Sequence, residues 1–256
     1  MTALFDTHAH YDDEQFDRDR DELLESLPDA GVGLVLNPGC DEESSRKALA
    51  LAESHPHVYA AVGWHPENCG PFQPSDIAAL RRLAGHPKAV AIGEIGLDYH
   101  WEENPPKEKQ QKVLRLQLAL ARELNLPVII HDRDAHADCL SIIDEFPGLY
   151  GVFHCYSGSL EMARELLRRG WYLGFDGPVT YKNARKNLAV AKECPADRLL
   201  LETDAPYLAP IPMRGIRNDS RYLVYVAARL AEVRGVTKDQ LIAQSAENGK
   251  RLFGIR

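Results

Sequence analysis

The sequence predicts a single-domain α/β protein, a TIM (β/α)8 barrel with its site at the C-terminal ends of the strands. Three observations carry this. Short apolar runs alternate with helical patterns along the whole chain. Five of those runs stop at a histidine, glutamate or aspartate: His8, Glu94, His131, His154 and Asp204. The first and last of these come from opposite ends of the chain. Residues that share a metal ion must all lie within about 2 to 2.5 Å of it, so the first strand must meet the last. Closure of the sheet brings them together and places every βα loop on one face, where barrel sites are built. A chain of 256 residues, 45% hydrophobic, suffices for one such core, so residues 1–256 are expected to form one domain.

The elements follow in order. Ala3-Leu4-Phe5-Asp6-Thr7 reads as the first strand and runs into His8-Ala9-His10. Residues two apart in extended chain point the same way, so both imidazoles can face one site. A polar, acidic helix over 16–29 precedes a strand at 33–38, and a helix over 42–54 precedes a strand at 58–63. His55-Pro56 and His86-Pro87 each lie between a helix end and a strand. Those prolines stop helices, and their histidines are expected on the face opposite the site. A helix over 75–84 leads to a strand at 90–94. The helix over 107–124 shows an apolar stripe of Val113, Leu116, Leu120 and Leu124, with Pro105-Pro106 before its first turn and Pro127 after its last. Strands at 128–131, 151–154, 172–175 and 199–204 alternate with helices over 135–146, 160–169 and 183–193. Helices over 222–234 and 238–253 end the chain.

Composition narrows the function classes. A net charge of −8 and a pI near 5.7 supply no global basic field. That argues against a membrane partner or a non-specific DNA coat, but not against a nucleic-acid substrate held where metal ions supply the positive charge. No apolar stretch approaches the roughly 18 residues of a membrane helix, and the chain ahead of His8 is too short for a signal peptide, so a cytoplasmic location is expected. The five cysteines are widely spaced without a C-x-x-C pair, which suggests neither a disulfide frame nor a thiolate zinc site. Cys155 is expected to point away from the site and pack in the core.

His8, His10, Glu94, His131, His154 and Asp204 form the candidate metal set. Six ligands exceed the need of one catalytic zinc, which keeps about three protein ligands and an open position, so two divalent ions are expected. Glu94, on the fourth strand, can bridge ions about 3.5 to 4 Å apart. His8, His10 and Asp204 would complete one site, and His131 and His154 the other. Gly93 and Gly96 are expected to thin the wall beside Glu94 for a close metal approach. The donor types suit Mg, Mn, Zn or nickel and do not choose among them. His65 either contacts phosphate or relays protons, or is an ordinary loop histidine. Arg133, two residues past His131, offers a planar fork for a phosphate. Arg217, Arg214 and Lys182 sit on late loops of the same face. His100 and Trp101 could line the entrance, where Trp101 could stack on a base.

Several segments resemble a known family over essentially the whole chain. Phe5-Asp6-Thr7-His8-Ala9-His10, Gly63-Trp64-His65-Pro66, Gly93-Glu94-Ile95-Gly96-Leu97-Asp98-Tyr99, His154-Cys155-Tyr156-Ser157-Gly158, Glu202-Thr203-Asp204-Ala205-Pro206-Tyr207-Leu208 and the stretch from Asn248 to Phe253 are similar to those of the TatD-type deoxyribonucleases. The resemblance implies a metal-dependent hydrolase on a TIM barrel, a phosphodiester substrate, and ligand roles for the six residues already named. It also places His65 near the active site. Two departures lie near the substrate: Arg217-Asn218-Asp219-Ser220 stands where the family commonly has Arg-Asn-Glu-Pro, and Tyr156 where Phe is common.

The expected activity is two-metal hydrolysis of DNA, at single strands or ends, because an acidic protein with one pocket does not easily envelop a duplex. Asp204 would accept the proton of the attacking water. Exonucleolytic action rests on the resemblance alone. The same ligand set suits amide, lactone or phosphotriester hydrolysis of small molecules. A metal-binding scaffold without turnover is disfavoured, since Asp204 and an open coordination position would then have no purpose. The chain is expected to be a monomer or weak oligomer.

Overall fold

In a computed structural model, which describes residues 3–256, eight strands form one sheet whose spatial order is the chain order. They are β1 (Leu4–Asp6), β2 (Val32–Pro38), β3 (Val58–Val62), β4 (Ala89–Asp98), β5 (Val128–Arg133), β6 (Gly151–Phe153), β7 (Tyr172–Phe175) and β8 (Leu199–Leu201). Every adjacent pair is parallel. Beyond the strands, β1 and β8 close the barrel. Thr7 N–H donates to the Leu201 carbonyl (3.2 Å), Asp204 N–H to His8 (2.9 Å) and His10 N–H to Ala205 (2.7 Å).

The helices are α1 (Arg20–Ser26), α2 (Glu42–Ser54), α3 (Asp76–Ala84), α4 (Lys107–Leu124), α5 (His136–Asp144), α6 (Leu160–Arg168), α7 (Arg185–Glu193), α8 (Leu223–Arg234) and α9 (Lys238–Phe253). Their starts are set locally. Asp41 and Thr237 each accept from the backbone N–H three residues on and complete capping boxes at α2 and α9. Asn125 and Gly235 end α4 and α8 in the left-handed conformation. No helix among the described residues is long and apolar enough to cross a membrane.

Period-two alternation along the strands divides the core in two. Phe5, Leu36, Ala61, Ala91, Ile129, Val152 and Leu200 fill the barrel and continue onto Leu252 and Phe253 of α9. Their strand neighbours, among them Leu4, Val35, Ile92, Ile130 and Leu201, pack outward against the helices.

Several boundaries differ from the sequence expectation. The first helix is short, Arg20–Ser26, preceded by a 3-10 turn at Glu14–Phe16. β1 and β6 stop one residue early and β8 three, so His8, His154 and Asp204 stand in the loops just past their strands. β5 runs on past His131, and β4 runs four residues past Glu94 to Asp98. The β4–β5 register shifts between Ile92 and Ile95. A Cβ at Gly96 would lie 1.9 Å from the His131 carbonyl oxygen. This glycine therefore serves the close approach of two strands, not of a metal.

The stripe expected on α4 is also rotated. Leu116 and Leu124 are only partly buried, while Gln110 and Gln117 lie fully inside. Gln117 Oε1 accepts from Trp64 N (2.7 Å) and its Nε2 donates to Trp64 O (3.0 Å); Gln110 does the same for Asp98, at 2.9 Å each way. Two polar side chains two helical turns apart thus satisfy the backbone beside His65 and at the end of β4.

Candidate active site

The two oxygens of Glu94 face two different groups of imidazoles. Oε2 lies 3.2 Å from His8 Nε2 and 3.5 Å from His10 Nε2. Oε1 lies 2.6 Å from His154 Nε2, 2.9 Å from His131 Nδ1 and 3.5 Å from His65 Nε2. Asp204 Oδ1 completes the first group, 3.5 Å from His10 Nε2 and 3.7 Å from His8 Nε2. The barrel brings all six expected residues, and His65 with them, to its C-terminal mouth.

The donor spacing fits cations. Four ligands arranged tetrahedrally at about 2.1 Å from an ion stand about 3.4 Å from one another. The nitrogens of His8 and His10 face each other at 3.1 Å, and their distances to Glu94 and Asp204 run from 3.2 to 3.7 Å. Around Glu94 Oε1, His131 Nδ1 and His154 Nε2 are 3.2 Å apart. The electrostatics agree. Burial alone would raise the Glu94 carboxyl, but His154, His8 and His65 hold it well below the usual carboxylate range. Burial and the His154 ring push His8 down to about 4; burial and His131 push His65 down to about 3. Both imidazoles are therefore neutral, the form that binds metal. His131 is buried yet raised to about 10, because Asp98 and Glu94 clasp it from both sides. Those carboxylates present the negative charge a divalent cation requires.

The strands explain why these side chains meet. Ala9 pairs with Ala205 in a one-residue parallel bridge, which turns His8 and His10 inward on either side of it. Behind them Asp6 is fully buried. Its Oδ1 accepts from Thr203 N (3.0 Å), and its Oδ2 accepts from the hydroxyls of Thr203 and Ser220, at 2.6 Å each. Asn218 Nδ2 donates to the carbonyls of Thr203 (2.9 Å) and Tyr207 (2.7 Å). Asn218, which matches the family pattern, and Ser220, which departs from it, therefore hold the barrel seam, and Tyr156 spends its hydroxyl on Ser159 O (2.7 Å) in the interior.

Two carboxylates escaped the sequence reading. Asp98 Oδ2 lies 3.0 Å from His131 Nε2, on the far side of the ring from Glu94. Glu202 Oε1 lies 3.8 Å from His154 Nδ1 and accepts from Cys155 N–H. It enters the barrel over Gly174, where a Cβ would stand 2.3 Å from its Oε2. Period-two spacing, Glu94-x-x-x-Asp98 and Glu202-x-Asp204, is the signal that could have found both.

One other expectation needs correction. Cys155 is half-buried with φ 41°, because β6 has already ended, and it does not pack in the core. Arg217 is committed elsewhere: both its terminal nitrogens bind Asp19 (2.7 and 2.6 Å), and it covers Phe16. Arg133 stays exposed over Trp101. Arg214 covers Tyr181, and Lys182 is exposed. His86 pairs with Glu53 and His55 approaches Asp21, as structural histidines.

A parallel eight-stranded barrel that gathers imidazoles and carboxylates at its mouth defines the class of metal-dependent α/β-barrel hydrolases. A family model described as TatD related DNase matches residues 5–254, and the chain belongs to that family. It is 46% identical over 254 residues to the Bacillus subtilis (strain 168) protein named uncharacterized metal-dependent hydrolase YabD, covering 98% of this chain and 99% of the relative. It is 39% identical over 259 residues to the Cronobacter sakazakii 3'-5' ssDNA/RNA exonuclease TatD, covering 98% and 97%. The crystal structure of the Escherichia coli K12 TatD homologue YJJV superposes with a TM-score of 0.92 at 34% identity, covering 99% of this chain and 98% of that one. The chain is a hydrolytic enzyme of a metal-dependent family.

Proposed function

We propose that the chain is a two-metal phosphodiesterase acting on single strands or ends of DNA. The observation that carries this reading is the division of Glu94, one oxygen toward His8 and His10 and the other toward His131 and His154. His8, His10 and Asp204 would hold one divalent ion, His131 and His154 the other, with Glu94 shared. Magnesium, manganese or zinc bound there would supply charge stabilisation at the phosphoryl oxygens and lower the pKa of water. Asp204 is the more open of the two carboxylates, with 15% of its side chain exposed against 4% for Glu94. It faces the mouth, where it would take the proton of the attacking water. His65 would orient the substrate phosphate beside Glu94 Oε1. Exonucleolytic action draws support from the name of the Cronobacter relative. The cytoplasm is the compartment this reading assigns.

The test strips the protein of metal, reloads it with one divalent ion at a time, and follows end-labelled single-stranded DNA, RNA and duplex beside bis(p-nitrophenyl) phosphate. Metal-dependent shortening of single strands that stops with chelator is expected. Hydrolysis of lactones or amides with no phosphodiester cleavage would overturn the reading.

A further inference from the structure

Of the three tryptophans, Trp64 and Trp171 are buried, while Trp101 leaves 46% of its surface in solvent. It stands in the loop between β4 and α4, three residues past Asp98. It is fixed there. The guanidinium of Arg133 sits over its ring at 5.1 Å, and the His100 ring meets it nearly perpendicular, at 4.6 Å and 82°. His100 N–H donates to Asp98 Oδ1 (2.9 Å), and its Nδ1 lies 2.8 Å from Asp134 Oδ2. Asp98 Oδ2 in turn reaches His131 Nε2 at 3.0 Å. One carboxylate thus ties the catalytic cluster to the loop that carries the indole, and Arg133 lies two residues beyond His131 on β5.

An exposed, immobilised indole beside a phosphodiesterase site has one ready partner. The geometry points to Trp101 as a stacking platform for a nucleobase of the substrate strand, the nucleotide next to the scissile phosphate. The inference rests on the phosphodiesterase reading and names its polymer. Glu102 and Glu103 follow Trp101 on the same loop, and both are exposed. The loop is therefore no anion trap, so contact with a polyanion comes from the ring face. Stacking tolerates any base, because every base has a π-face. Arg133 holds the ring and can reach the flanking phosphate through its remaining N–H groups.

The experiment compares the full-length protein with Trp101→Ala and Trp101→Phe. In chelator, binding of a short oligothymidylate should quench the emission of Trp101. By anisotropy of a labelled oligomer, Trp101→Ala should bind about tenfold or more weakly, the scale of one lost base stack. Trp101→Phe should keep most of the affinity. The slope of log affinity against log salt should stay the same in both variants, since no cation is removed. With metal, Trp101→Ala should raise KM for the oligomer and leave its kcat nearly unchanged. Equal oligomer affinity and KM in Trp101→Ala and wild type would overturn the platform alone. A Trp101→Ala change confined to sedimentation behaviour would overturn it too, and assign the indole to contacts between copies of the chain. Wild type that hydrolyses the small diester but neither binds nor cuts oligonucleotides would overturn the nucleic-acid reading itself.

Discussion

Asp98 and Glu94 grip the His131 ring from opposite sides, 3.0 Å from Nε2 and 2.9 Å from Nδ1. A histidine held this way cannot rotate, and the nitrogen it turns toward the other imidazoles is fixed by the carboxylate behind it. That is the arrangement by which outer carboxylates orient metal-binding histidines and raise their basicity.

Asp98→Ala should therefore weaken divalent-ion binding about 10- to 100-fold, and Asp98→Asn by less. Calorimetric titration with manganese or zinc measures this, with the urea midpoint as a check on the fold. Unchanged affinity would mean that Asp98 serves only the loop, through His100 and Asn104, both of which also donate to its Oδ1.

What the sequence made legible was the order of the polar residues against the apolar runs. His8, Glu94, His131, His154 and Asp204 all follow or interrupt strands, and in a parallel barrel those positions share one mouth. The residues behind them were harder to read. Asp98 was hidden because β4 continues past Glu94 and Gly96, and the glycines on either side of Glu94-Ile95 look like a strand end. Gln110 and Gln117 look like solvent-facing positions of α4, since sequence does not show which polar side chains find buried backbone partners. Arg217 looked free because its partner Asp19 is 198 residues away in the chain. The common cause is that hydrogen-bond partners distant in sequence leave no periodic trace.

Sharing Glu94 between both groups of imidazoles has a stoichiometric consequence. Wild type should hold two divalent ions per chain by elemental analysis. Glu94→Gln keeps the shape but removes the charge, so both equivalents should weaken together. Saturating metal should also lose most of its thermal stabilisation, which for a site filled at 100 times its Kd is about 2.7 kcal/mol. A variant that lost one ion and kept the other at wild-type affinity would show that Glu94 belongs to a single site.

Gln117 gives a prediction about the scaffold. It closes both backbone groups of Trp64, at 2.7 and 3.0 Å, next to His65. Gln117→Leu fits the helix but strands a buried N–H and a buried C=O, each costing about 1 to 3 kcal/mol. Urea unfolding should therefore show a loss of about 2 to 6 kcal/mol. The two-ion stoichiometry should remain, because no donor to the cluster is touched. A change below about 0.5 kcal/mol would place the side chain among ordinary surface positions.

Asp204 separates holding a cation from moving a proton. Its Oδ1 lies 3.5 Å from His10 Nε2, and its backbone N–H is anchored to the His8 carbonyl at 2.9 Å, so the side chain is held at the seam of the barrel whatever its charge. Burial opposes its ionisation, but His10, His8 and His154 hold the carboxyl below its ordinary value, so it is a charged acceptor near neutral pH. Asparagine keeps one oxygen at the same place but cannot take a proton. Asp204→Asn should retain much of its bound metal and lose on the order of 10² or more in single-turnover cleavage, the scale of a missing general base. Metal content and cleavage rate must be read on one preparation, so that loss of the ion is not mistaken for loss of the base. If the variant holds two ions and cuts within a few-fold of wild type, Asp204 only completes the coordination, and the proton must leave by another route, for which His65, 3.5 Å from Glu94 Oε1 and outside the six expected metal ligands, is the group to test.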